Sequence, residues 1–341
     1  MSTGDFLNYE ALDLVASQIK TSNLKRARLR TQLRKLHKRD KLDFSKLDEE
    51  WRWRLVCARL RLGDYSNWDG WQFRSEWSKA LHEEKTNLPQ WDGRPYGPGV
   101  ARLLILGEEG IGDEVMHASV IPEAIVRLGR KGVIYECSPR IHGIIERSFG
   151  IECRKRQALN VVRESISHWI AQGDLSALFR RDLSHFPGKP YLKADPVRVE
   201  EMREFTANLP RPLYGLSWQG KHGFVEPHTL MKSPGTYINL QYDSKAPEGV
   251  VEPPIDLKMD IEGVFALISI LDKVLTVPTS VVHFAGSLGV PTDLYPVPRQ
   301  EEQDVEYSLN WRVGPGKTHV WHNSVRIVEH LNRSDWSDYG T

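Results

Sequence analysis

The clearest signal along the chain is a change of hydrophobic period near Val100. Beyond it, short apolar runs alternate with amphipathic stretches, the pattern of parallel strands joined by crossover helices. ARLLILG (101–107) predicts a buried strand, GDEVMHASVIPEAIVRLG (112–129) a helix, KGVIYEC (131–137) a second strand and SPRIHGIIERSFG (138–150) a second helix. A polar, mixed region follows to about Pro190, and the Pro-rich stretch at Leu209, Pro210, Arg211 and Pro212 closes this unit. The next unit opens with the strand LYGLSWQG (213–220) and continues through the strand TYINLQY (236–242), the helix GVFALISILD (263–272), the strand KVLTV (273–277) and the helix SVVHFAGSLG (280–289). It ends with a predicted helix around VRIVEHLN (325–332). Two α/β units of similar size predict two Rossmann-like halves facing a cleft, and such sheets bind ligands at the carboxyl ends of their strands.

Upstream the pattern is helical. Residues 20 to 41 carry ten Lys or Arg against one acid, Asp40, with Leu24, Leu29, Leu33 and Leu36 at helical spacing. This basic amphipathic helix reads as a solvated face docked on the body, or as an electrostatic footprint for nucleic acid or another polyanion. Six of the eleven tryptophans fall between Trp51 and Trp91, and that much aromatic surface needs a packed partner. The segment 51–81 reads as a helix, a break at Gly63 and Asp64, and a second helix, the outline of one tetratricopeptide-type helix pair. One pair cannot form a solenoid, so it is expected to cap the following domain. The predicted division is 1–97 for the helical N-terminal region with its linker, 98–207 for the first Rossmann-like domain and 208–341 for the second.

Composition narrows the class. The 341 residues are 40% hydrophobic and 27% charged, within the ordinary range of folded, water-soluble proteins. With 46 Lys plus Arg against 45 Asp plus Glu, the net charge of +1 provides no whole-molecule field toward nucleic acid, so any such affinity is local. Cys57, Cys137 and Cys153 are odd in number and widely spaced, which argues against a disulfide framework or a zinc ribbon and for a reducing cytoplasm. The first twenty residues carry acids where a signal peptide needs basic and apolar regions. The stretch from Val264 to Val282 is interrupted by Asp272, Lys273 and Pro278, so no membrane span is expected.

Three places could carry chemistry. Gly107-Glu-Glu-Gly110-Ile-Gly112-Asp113-Glu114 joins a strand to a helix. Its glycines allow close backbone approach to a ligand, and the helix start favours negative charge. It also reads as a tight turn with Asp113 as helix cap. It is neither a Walker loop nor a dinucleotide fingerprint, so ATP and nicotinamide chemistry are not indicated. Thr276 to His283 joins another strand to an apolar helix, with Thr279 or Ser280 as cap, a ready anion site that also reads as an ordinary capped helix. His283 is either a phosphate donor or a satisfied buried histidine. The third place is where two strand ends bring Trp218, Lys221 and His222 together with Gln241, Tyr242 and Asp243. There an ammonium can offset phosphate and an aromatic can stack on a base, although Trp218 and Tyr242 also read as core aromatics. No H-E-x-x-H or Asp-x-Asp occurs, and the close pair His319 and His322 lacks a nearby carboxylate or cysteine cluster, so no metal is expected.

Together these motifs resemble the GT-B glycosyltransferases, in particular the heptosyltransferase-like family 9 group and the bacterial tetratricopeptide-linked transferases near it. The resemblance runs over about residues 55 to 330. LPQWDGRPYGPGVARLLILGEEGIGDEVMHAS is similar to a P-x-W-x-G linker and E-Q-G-x-G-D turn, YGLSWQG to G-x-S-W-x-G, and YINLQYD to V-x-L-Q-Y-G. LDKVLTVPTSVVHFAGSLGVPT is similar to L-D-L-V-I-S-V-D-T-x-x-x-H-L-A-G-A-L-G-x-P. The resemblance implies an α/β, GT-B fold with an N-terminal helical extension. It also implies a nucleotide-sugar co-substrate held mainly by the C-terminal half, and no metal or other cofactor. Asp113 would be the general base of an inverting transfer. Thr279, Ser280 and His283 would hold the donor diphosphate, Lys221 would neutralise it, and Gln241 with Tyr242 would lie near the base or sugar; Gly110, Gly112 and Trp218 complete the expected donor site. The acceptor is open between a glycan, a protein side chain and a hydroxylated DNA base. Two positions depart from the pattern: Pro278 stands where the family has Asp, and Glu109 where it has Gln. A non-catalytic helical adaptor on a degenerate transferase body is the alternative.

Overall fold

The computed structural model of the chain describes residues 49–75, 78, 80, 88–95, 102–156, 166–220, 223–296, 312 and 319–328. The basic stretch 20–41 and Lys221 with His222 lie outside the described residues.

Helix α1 (Glu49–Arg61) leads, by a turn with Gly63 at positive φ, into a loop rich in aromatics. The first sheet holds β1 (Arg102–Leu106), β2 (Val133–Cys137), β3 (Glu152–Lys155) and β4 (Ile166–Ala171), ordered β3-β2-β1-β4 with every pairing parallel. Its helices are α2 (Ile111–His117), α3 (Ile121–Leu128), α4 (His142–Phe149) and α5 (Gln172–Phe179). The stretch predicted as a single helix is broken by a short 3-10 turn at Ala118–Val120. Leu103, Leu104 and Ile105 are wholly buried because helices or neighbouring segments cover both faces of the central strand. β3 and β4 fall in the region read as polar and mixed; β3, ECRK, is an edge strand whose side chains stay partly in water.

Helix α6 (Pro196–Thr206) starts at Asp195, whose carboxylate accepts from the Val197 and Arg198 amides, with Pro196 in the first turn. It packs along a helix of the second unit, α7 (Ile261–Ile270). That unit's strands are β5 (Leu213–Ser217), β6 (Gln219–Gly220), β7 (Gly223–Phe224), β8 (Thr236–Asn239), β9 (Val250–Val251), β10 (Lys273–Thr276), β11 (Thr292–Leu294) and β12 (Val325–Ile327). β6 and β7 pair antiparallel by themselves. The other six form a wholly parallel sheet ordered β12-β11-β10-β5-β8-β9, the six-strand order of a doubly wound nucleotide-binding sheet. Helix α8 (Ser280–Leu288) follows β10. The segment around VRIVEHLN departs from expectation. Val325 to Ile327 forms β12, because alternating β-branched residues fit beside β11, where Thr292 to Leu294 supply the parallel partners.

The result is the α/β, two-lobed arrangement that the GT-B resemblance implies, with the order of each sheet reversing at its first strand. In such sheets the crevice lies outside the strand ends at the reversal. Here those ends are Gly107 to Gly112 after β1, and Trp218 to Gly220 with Val277 to Thr279 after β5 and β10. A separate aromatic core joins the parts: Trp68 and Trp71 from the N-terminal loop, Met116 from α2, Phe186, and Trp321 from the C-terminal segment are buried together. Trp68 Nε1 donates to the Arg180 carbonyl at 3.0 Å. No helix among the described residues is long and apolar enough to cross a membrane.

Candidate functional site

A cavity of about 590 Å³ opens where the two lobes meet. Its wall includes Gly110, Gly112 and Asp113 from the first lobe and Gln241, Tyr242, Thr279, Ser280 and His283 from the second. The helices that carry Asp113 and His283, α2 and α8, pack against each other. A Cβ on Gly112 would lie 2.9 Å from the Ser280 Cα and 3.3 Å from the His283 ring, so only glycine lets the walls approach this closely. Gly110, not Asp113, is the cap of α2, which leaves the Asp113 carboxylate in the first turn and facing the cavity.

Three of the four acids of this turn, Glu108, Asp113 and Glu114, each meet an arginine from elsewhere in the chain. Asp113 Oδ1 accepts from Arg312 Nη2 at 2.5 Å, and both side chains are about a quarter exposed, at 26%. Glu108 is wholly buried and bound to Arg74, which also donates to Asp174 at 2.9 Å; Gly173 N and Ser78 Oγ donate to the same Glu108 carboxylate. Glu114, equally buried, pairs with Arg156 and accepts from the Ser138 amide at 3.1 Å. Burial pushes the Glu114 carboxyl up, against the pull of Arg156.

Glu109 has no ion pair with an arginine among the described residues. Its φ is 62°, in the left-handed region that costs energy for a residue with a side chain, and its Oε1 is buried without a partner among the described residues. Burial first, then the Asp113 and Glu108 charges, pushes its carboxyl above the usual range, against hydrogen bonding from Ser75. The folded form therefore holds this proton to higher pH than the unfolded chain does. The contribution to stability is complete below the unfolded pKa and is lost as pH rises through the folded one. Glu109→Gln is expected to raise stability at pH 8 on the order of 1 kcal/mol while changing little at pH 4, measured as urea midpoints; equal shifts at both pH values would contradict this.

On the second lobe, Thr279 caps α8 by accepting from the Val281 amide at 3.3 Å. The first amides of a helix have no partner within it, so the remaining ones are available to an anion. Pro278 lines the cavity just before the cap. Gln241 lines the wall too, but its amide serves the protein: Oε1 accepts from Ser217 Oγ at 3.1 Å and from Gln219 N at 2.9 Å. Tyr242 stands 45% exposed at the rim, with the Lys258 ammonium 5.7 Å from its ring centre. Trp218 departs from expectation. It is buried with Leu216, Val225 and Leu275 and is not part of the cavity wall, because the strand end turns its ring into the apolar layer behind the sheet.

Sequence reasoning missed Arg312, which lies 199 residues from Asp113 in a stretch with no motif, and His319, set aside because no metal-ligand cluster surrounds it. No group of three or more metal-ligating side chains occurs among the described residues.

No protein-family model matches the chain. Among curated proteins it is similar to Protein FlbA of Caulobacter vibrioides, 28% identical over 279 residues, which is 70% of this chain and 46% of FlbA. The chain thus spans about half the length of that relative. Among solved structures it is similar to the ADP-heptose lps heptosyltransferase II of E. coli, with a TM-score of 0.47 at 11% identity over 67% of this chain and 91% of that one. It is also similar to the family 9 glycosyl transferase of Veillonella parvula, with a TM-score of 0.46 at 9% identity over 70% and 90% of the two chains.

Proposed function

We propose that the protein transfers a sugar from a nucleotide-sugar donor to an acceptor hydroxyl, with inversion and without a metal ion. The observation that carries this reading is the shared cavity, which has the Asp113 carboxylate on one wall and the capped start of α8 on the other. The donor phosphate lies against the first turn of α8, where the positive end of the helix and the Arg312 guanidinium offset its charge. The exposed ring face of Tyr242 suits a base or sugar. The acceptor enters from the first lobe. As its oxygen forms a bond to the anomeric carbon, the hydroxyl proton passes to Asp113 and the nucleotide phosphate leaves with the electron pair of the broken C–O bond. Attack from the face opposite the phosphate inverts the centre. A glycan, a protein side chain or a hydroxylated DNA base supplies the same hydroxyl chemistry, and the charge of residues 20–41 favours a polyanionic acceptor.

The test is a thermal-shift screen against UDP-, GDP-, ADP-, CDP- and CMP-sugars. A true donor at 100 times its Kd is expected to stabilise the protein by about 2.7 kcal/mol. No shift with any donor would favour the non-catalytic adaptor.

A further inference from the structure

Four histidines are buried together behind the cavity: His117, His283, His319 and His322, at 2%, 6%, 4% and 0% exposure. His283 Nδ1 and His322 Nε2 share a hydrogen bond of 3.2 Å. The His319 and His322 rings stack with centres 5.0 Å apart, and those of His283 and His319 lie 5.9 Å apart. Of the four, His283 and His319 reach the cavity wall. His319 differs from its neighbours in one respect: both of its ring nitrogens are buried and neither has a hydrogen-bond partner among the described residues. Buried polar groups are almost always satisfied, so a buried ring left unsatisfied on a cavity wall points to something that binds there.

The charges around this ring decide what it would take. Arg312 faces it from the same wall, His283 from α8 and His322 from its own segment; His117, at the end of α2, faces His283, and Asp113 is already held by Arg312. Burial first and Arg312 second hold His319 down to about 3, and burial with the neighbouring imidazoles keeps His283 and His322 well below the usual range. All three rings are therefore neutral at pH 7. The capped start of α8 opens beside them. An anion entering here would meet a helix amino end, a guanidinium and imidazoles able to gain charge.

We propose that His319 contacts the donor phosphate and that the His319, His322 and His283 cluster takes up one proton when that phosphate binds. The proposal rests on the glycosyltransferase reading of the same cavity. The proton comes from solvent, and no covalent bond forms or breaks in this step. A negative charge beside the ring opposes the burial and the Arg312 field that keep it neutral, so binding and protonation strengthen each other.

The test is calorimetric titration of the intact chain with whichever nucleotide sugar stabilises it in the screen, whose phosphate charge is constant between pH 6 and 8. The wild type is expected to bind three- to tenfold more tightly for each pH unit below 8, with a binding heat that depends on the ionisation enthalpy of the buffer. His319→Gln is expected to bind roughly tenfold more weakly at pH 6, with a flat pH profile and no buffer dependence. His319→Asn serves if the glutamine variant does not fold, and the wild-type profile stands without either. A flat wild-type profile, or a variant that keeps the wild-type slope, overturns the proposal alone. Failure of every nucleotide sugar to bind the wild type overturns the glycosyltransferase reading and this proposal with it.

Discussion

Asp113→Asn is expected to lower turnover of the wild-type donor by roughly two to four orders of magnitude, with little change in donor affinity, when transfer or donor hydrolysis is followed in EDTA. The asparagine keeps the shape and the Arg312 contact but cannot accept the acceptor proton, so the loss belongs to the chemical step. Donor affinity is expected not to fall, because the proposed phosphate contacts are α8 on the other wall and Arg312, which keeps its guanidinium beside a neutral asparagine. Near-normal turnover would remove Asp113 from the role of base. Loss of wild-type turnover in EDTA would remove the metal-independent mechanism.

Arg74→Met is expected to destabilise the protein by about 3 to 5 kcal/mol, seen as a lower urea midpoint. Arg74 is 4% exposed and Glu108 0%, so removing the guanidinium leaves a carboxylate in the interior without its counter-charge. The cost comes from that stranded charge, since a buried ion pair gains little over apolar packing of the same volume. Arg74→Met combined with Glu108→Gln is therefore expected to recover a large part of the loss, and a double variant as unstable as the sum of the two single variants would refute this account. Because Glu108 sits two residues before Gly110, the same ion pair holds the turn that presents Asp113. A folded Arg74 variant should thus lose activity as well.

Legibility followed the physics of each element. LLIL, VIYEC and KVLT were readable because buried parallel strands are continuous apolar runs, and α8 because its cap and its glycine stop both stand in the sequence. β3 was invisible because an edge strand tolerates charge, and β9 because two residues carry no period. VRI reads as helix in the sequence because three residues of a strand and one turn of a helix look alike until a neighbouring strand supplies hydrogen bonds. The glycine turn and the Thr279 cap could be picked out because local backbone geometry dictates those residue types. Arg312, Arg74 and His319 could not, because their significance comes from partners more than thirty residues away. Trp218 shows the opposite limit: a residue beside a strand end faces either the ligand or the layer beneath, and sequence alone does not decide which.

The tryptophan-rich core also limits how the molecule can move. Trp71 meets His117 of the first lobe edge-on at 6.2 Å, and His117 in turn meets Trp321 of the C-terminal segment at 5.2 Å. Phe186, in the crossing between the lobes, packs on Trp321 at 5.0 Å. These rings act as a rivet through the jaws. A wide clamshell swing would have to prise apart these edge-on rings and wet them, so traffic in and out of the cleft must rely on small local adjustments at its mouth. Trimming the chain to its paired sheets alone would pull that rivet out.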